Sequence, residues 1–208
     1  MDGDRAPLAA LADIAERHDG FLVIDEAHAT GVLGPGGRGL AAGLEGRENV
    51  LALHTCGKAL GVSGALLAAP RALADYLVNR ARAFIYSTAP SPLMATGVRE
   101  ALRRVEDEPE RRISLQQLVS FAGDELKSRL GVQPSGSQIQ PVIIGGNSQA
   151  VRIADCLQDH GFDIRAIRPP TVPDGTARLR LSITLNTDRD QIARMVDCLA
   201  AVMEENNR

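Results

Sequence analysis

Tryptophan is absent from the 208-residue chain, and aromatic residues make up only 3% of it. That shortage disfavours a surface on which nucleic-acid bases stack. Charge of one sign is missing too: 23 basic residues against 26 acidic ones leave a formal charge of −3. No basic field therefore points to nucleic acid or to anionic lipid. No apolar run approaches the ~20 residues that span a bilayer. The opening MDGDRAPL is acidic and has no signal-peptide core. The three cysteines, Cys56, Cys156 and Cys198, are odd in number, far apart and match no metal-ligand spacing. A reducing, cytoplasmic setting is the expectation. What is present is a 44% hydrophobic content, enough to bury a core in one large domain or two small ones.

The most informative stretch runs from Phe21 to Ala65. An apolar run, Phe21-Leu22-Val23-Ile24, ends in Asp25, with His28 three residues on. A second, Val50-Leu51-Ala52-Leu53, ends in His54-Thr55-Cys56-Gly57-Lys58. Both have the length and composition of buried parallel strands, and both carry their polar residues just past the carboxyl end. In open α/β sheets that edge is where ligands bind.

Along the chain, Pro7 suits the first turn of a helix that Gly20 stops. The loop from Gly31 to Gly39 holds five glycines but no G-x-G-x-x-G after a strand, and reads as a flexible active-site loop. A third strand is expected over 64–68, then helices over about 71–83 and from Pro90 and Pro92 to about Val105. The charged segment Glu106–Arg112, with Pro109 inside it, marks a boundary. The expectation is one domain over 1–108 and a second over 109–208. The second reads helix to Leu130, strand 139–144, helix capped by Asn147, strands 162–167 and 177–183, and a last helix capped by Thr187-Asp188. The fold class is α/β: part of a larger α/β domain, followed by a small α+β domain of helices on an antiparallel sheet.

A lysine in a glycine-flanked loop at a strand end can form a Schiff base with a carbonyl cofactor. Pyridoxal phosphate also needs a carboxylate against its ring nitrogen, and Asp25 is placed for that. Thr55, Ser87 and Thr88 offer hydroxyls for a phosphate, and His28 could reach the phenolic oxygen. A substrate carboxylate calls for an arginine fork, for which Arg178 is a candidate. Each residue alone has a plainer reading: a solvated lysine, a turn aspartate, a surface strand arginine. Only their joint arrangement argues for chemistry. His54 reads as a packed or surface histidine without a role.

DEAHATGVLGPGGRG, HTCGKALGVSGA, IYSTAPSP and AIRPPTVPDGTARLRLSIT, in that order, resemble the α-oxoamine synthases, fold-type I pyridoxal phosphate enzymes. The resemblance runs almost without gaps from Met1 to the C-terminus. It implies that Lys58 binds the cofactor and removes the Cα proton of the amino acid. It further implies that Asp25 faces the pyridinium nitrogen, His28 the phenolic oxygen and Thr55 the phosphate. Thr88, with Ser87, would reach a phosphate in a neighbouring subunit, so a homodimer follows, and Arg178 would hold the substrate carboxylate. IQPVIIGGN with AIRPPTVPDGTARLR is most similar to the biotin-pathway branch. The implied partners are therefore L-alanine and a pimeloyl thioester of coenzyme A or acyl carrier protein, with no nucleic acid and no membrane. Branches that use glycine stay open.

The same resemblance implies that well over a hundred residues precede the point matching Met1. The chain is thus expected to be the C-terminal portion of an enzyme, to bind cofactor poorly alone, and to expose apolar strand surfaces. A non-catalytic dimerisation fragment is one competing reading. Two others are a DEAH-type ATPase on Asp25-Glu26-Ala27-His28 and a zinc site from Asp25, His28, His54 and Cys56. The ATPase reading meets a poor P-loop, with Ala52 in place of the first glycine and Ala59 after the lysine.

Overall fold

The computed structural model describes residues 1–206. Their contacts separate two units, Ala6–Arg112 and Met1–Arg5 together with the chain from Ile113 onward. The first five residues thus attach to the later unit: Asp2 pairs with Arg178, and Nη2 of Arg5 donates to the Gly136 carbonyl at 3.4 Å. An extended run without its own apolar stripe joins whichever unit satisfies its polar groups.

In the unit 6–112, helix α1 (Leu8–Arg17) precedes strand β1 (Leu22–Asp25). Strands β2 (Val50–Thr55) and β3 (Ala65–Ala68) complete a sheet of order β1-β2-β3. β1 and β2 are parallel, with Leu22 opposite Val50 and Asp25 opposite Leu53, whereas β3 returns antiparallel to β2. One face of this sheet packs Ile24, Val50 and Ala52 with Ala41, Leu8 and Leu44. The other does not match the expectation of strands buried on both sides. Val23 is 66% exposed and Leu67 46%. Exposed strand side chains were the consequence expected of a partial α/β domain, and that is the arrangement seen.

Helices α2 (Arg71–Arg80) and α3 (Arg82–Ile85) replace the single helix expected over 71–83. The extended backbone of Ala81 divides them. Ser91 caps α4 (Pro92–Asp107), its hydroxyl accepting from the Leu93 N–H, and Pro92 at the first position fits a helix start. From residue 61 to 97 no side chain is buried.

The second unit packs α5 (Pro109–Leu130), α6 (Asn147–Asp159) and α7 (Arg189–Asn206) with β4 (Ile139–Gly145), β5 (Arg165–Ile167) and β6 (Ala177–Ser182). Its sheet is antiparallel, as the sequence pattern led one to expect, and its strand order is β4-β6-β5. Leu126, Val142, Ile153, Leu157, Leu179, Val196 and Leu199 form its core, each contributing about 1.5–3 kcal/mol by burial. One capping expectation shifts by a residue and the other narrows to one of its two residues. Gly146, not Asn147, stands before α6. Asp188 alone caps α7, its Oδ1 accepting from Gln191 N at 2.8 Å while Gln191 Oε1 accepts from Asp188 N at 3.1 Å. The Thr187 hydroxyl donates instead to the Thr184 carbonyl. Among the described residues no helix is long and apolar enough to cross a membrane.

Candidate active site

Because β1 and β2 run parallel, their carboxyl ends lie side by side at one edge of the sheet. The pairing continues one step past β1, where Glu26 N donates to the Leu53 carbonyl at 2.8 Å. The chain then closes a turn in which Ala29 N and Thr30 N both donate to the Glu26 carbonyl. Asp25 Oδ1 accepts from Ala27 N at 2.8 Å, an Asx-type bond that braces the turn and leaves the residue exposed. His28 emerges exposed from the middle of it.

β2 leads into a loop closed at its base. Cys56 N donates to the Gly64 carbonyl and Val62 N to the Cys56 carbonyl, at 2.9 and 2.8 Å. Gly64, at φ +105°, adopts a conformation open to glycine and strained for other residues. Buried Cys56 and Leu60 pack on Val98 and anchor the loop from below, while Lys58 is exposed. Burial pushes the Cys56 thiol above its ordinary value of 9.0. From this loop Nζ of Lys58 comes within 2.9 Å of Nε2 of His28. Which of the two nitrogens donates depends on the tautomer of the ring. Amine, imidazole and a carboxylate on the same turn thus share one sheet edge.

The other expected site residues are distributed differently. Thr55 is the half-buried last residue of β2, opposite Ala65. Ser87 spends its hydroxyl on the Phe84 carbonyl at 2.8 Å, and Thr88 is exposed. Arg178 belongs to the other unit and is not the surface strand arginine of the plainer reading, being only 6% exposed. Its Nε and Nη2 donate to the carbonyl and hydroxyl of Thr176, both at 2.9 Å, and its Nη1 pairs with Asp2. One guanidinium nitrogen thus meets the carboxylate, while the other two are held by Thr176.

The competing motif readings fail on geometry. Glu26 is not an exposed acid beside Asp25: it is 2% exposed, and its Oε1 accepts from the Ala41 N–H. The loop after β2 runs into an antiparallel strand, whereas a P-loop opens a helix. His54 turns inward, its Nδ1 2.9 Å from Thr30 Oγ1 and its Nε2 3.3 Å from Glu45 Oε1. Among the described residues no cluster of His, Cys, Asp and Glu is arranged to hold a metal ion. The glycine loop is also more tied down than its composition suggests: Gly31 N donates to the Gly37 carbonyl and Gly39 N to the Leu33 carbonyl.

The chain belongs to the aminotransferase class I and II family, whose pattern matches residues 1–199. Among curated relatives, 8-amino-7-oxononanoate synthase of Chromobacterium violaceum is 43% identical over 201 residues, 96% of this chain and 52% of its own. That of Aromatoleum aromaticum is 45% identical over 202 residues, with the same coverage. The chain therefore spans about half the length of the curated relatives it matches. Among solved structures, 8-amino-7-oxononanoate synthase of Francisella tularensis superposes with a TM-score of 0.80 at 27% identity, covering 95% of this chain and 59% of that one. Serine palmitoyltransferase of S. paucimobilis, bound to a pyridoxal phosphate–myriocin adduct, gives 0.88 at 26% identity over 99% and 52%. The α/β fold and the family expected from the sequence are those found.

Proposed function

We propose that these residues serve a pyridoxal phosphate-dependent C-acyltransferase that joins L-alanine to a pimeloyl thioester, of coenzyme A or acyl carrier protein. The products are 8-amino-7-oxononanoate, carbon dioxide and the free thiol. The observation that carries the reading is the 2.9 Å contact between Lys58 and His28, next to Asp25, at the shared end of two parallel strands. A primary amine, an imidazole and a carboxylate in that setting fit the cofactor's donor requirements. The relatives' names support the choice of reaction.

Pyridoxal phosphate, when bound, supplies an electron sink for negative charge at the amino acid's Cα. The rest is the work of this chain. Asp25, braced by Ala27, would face the ring nitrogen and keep a proton on it. Lys58 Nζ takes the Cα proton of alanine, with the His28 ring beside it to steady the amine. His28 also offers a hydrogen bond to the phenolic oxygen. Thr55, at the end of β2, donates to the phosphate. Thr88 would serve the phosphate of a second copy, joined by Ser87 only if its hydroxyl leaves the Phe84 carbonyl, which makes the working form a homodimer. The resemblance assigns the substrate carboxylate to Arg178, which within the other unit pairs with Asp2.

Lys58 and Lys127 are the only lysines in the chain, and Lys127 is an exposed residue of α5. Incubation with pyridoxal phosphate, borohydride reduction and peptide mapping therefore compare a site lysine with a built-in surface reference. Preferential modification of Lys58 supports the proposal, and equal modification of both lysines refutes it. Formation of 8-amino-7-oxononanoate from alanine and pimeloyl thioester, by protein at the relatives' full length, tests the substrates.

A further inference from the structure

The burial of His54 is unexplained by the proposed chemistry. Alternation along β2 turns it to the same side as Val50 and Ala52, toward an apolar cluster, where a polar ring is costly unless bonded. Both ring nitrogens have partners. Nδ1 meets the Thr30 hydroxyl at 2.9 Å, and Nε2 meets Glu45 Oε1 at 3.3 Å. Glu45 in turn accepts from Arg38 Nη2 at 2.9 Å through its other oxygen. Thr30 also lies 2.8 Å from the Glu26 carbonyl.

The position of this link in the chain is what matters. Thr30 lies two residues after His28, and His54 lies four before Lys58. The Thr30–His54 bond therefore cross-links the two arms that bring His28 and Lys58 together. It does so from the buried side, a few residues behind each tip. Glu26 tightens the same arm: its carboxylate accepts from Ala41 N and packs on Gly39, where an added Cβ would stand 2.8 Å from Glu26 Cδ.

We infer that His54 is a positioning residue for the Lys58–His28 pair, acting through Thr30. The link holds whichever way the protons lie. A neutral His54 accepts from the Thr30 hydroxyl at Nδ1 and donates from Nε2 to Glu45. A protonated one donates from both nitrogens, while the Thr30 hydroxyl turns to the Glu26 carbonyl. The charged and titratable groups facing it are Glu45 and, through Glu45, Arg38.

The inference deepens the proposed function and rests on it for its chemical meaning, so the test has two arms. In the first, selectivity of pyridoxal phosphate for Lys58 over Lys127 is read by reduction and peptide mapping. Thr30→Val, which keeps shape and loses the hydroxyl, and His54→Leu should each lower it roughly fivefold, about the value of one ordinary hydrogen bond. The double variant should lose no more than either single, because both remove one link. His54→Asn, which keeps a polar group near the Nδ1 position, should restore most of the loss. In the second arm, without cofactor, the His28 ring resonances of Thr30→Val should move toward those of Lys58→Met. Folded variants that keep full selectivity and an unmoved His28 signal overturn the inference. Absence of Lys58 preference in the unaltered chain instead sinks the cofactor reading, and the His28 signal then decides the positioning claim alone.

Discussion

Lys58 Nζ stands 2.9 Å from His28 Nε2, two side chains thirty positions apart whose meeting depends on the parallel pairing of β1 with β2. Both are exposed, so the contact contributes little to folding. Its expected effect is on the amine. His28→Ala should slow reductive trapping of pyridoxal phosphate on Lys58 by roughly tenfold. Trapping on Lys127 and the far-ultraviolet circular dichroism should stay as they are. An unchanged Lys58 rate would remove His28 from the site.

Asp25 has a structural task, accepting from Ala27 N, and a proposed electrostatic one. Asn keeps the acceptor and drops the charge, so Asp25→Asn should change the unfolding free energy by no more than about 0.5 kcal/mol. Cofactor affinity, measured by absorbance titration, should fall roughly tenfold or more with the loss of the charge. Asp25→Ala should lose affinity and stability together. Equal cofactor binding by Asp25→Asn and the parent would contradict the assignment.

Asp2 and Arg178 make a one-sided pair, the arginine buried and the aspartate partly open to solvent. Removing the acid strands a buried cation, so Asp2→Ala should cost about 1–3 kcal/mol in urea unfolding, discounted for the exposed partner. If Arg178 receives substrate carboxylates, added alanine should recover part of that loss by occupying the vacated position. Stability insensitive to Asp2→Ala would show the pair to be idle.

Burial raises Cys56 above the ordinary thiol value, and burial with the neighbouring Cys156 raises Cys198. A raised acid favours its protonated form in the folded state. These thiols therefore contribute stability below the unfolded thiol range, and that contribution is lost as pH rises through their folded values. Unfolding midpoints should drop on going from pH 8 to 10, and Cys56→Ala should flatten part of the drop (after its own packing cost is subtracted). Alkylation at neutral pH should mark Cys156 before buried Cys56. A midpoint that rises over this range would contradict the assignment.

Much of this protein was readable in one dimension. Apolar runs bounded by glycine and proline located β1, β2, β3 and the antiparallel sheet of the second unit. Asp25, at the end of β1, and His28 and Lys58, just beyond strand ends, declared themselves as reactive types. The short-range features that escaped were decided by local backbone: the break at Ala81, and the cap before α6 at Gly146 in place of Asn147.

Tertiary structure alone decided the rest. Which residues meet across thirty positions depends on strand register, and no local preference encodes register. The sequence marks an acid at Glu26 and a histidine at His54. Only folding turns both inward, gives them Ala41, Thr30 and Glu45 as partners, and leaves Lys58 facing His28. It also buries Arg178 against Asp2, 176 positions away, a pairing set by the cost of leaving a desolvated charge alone.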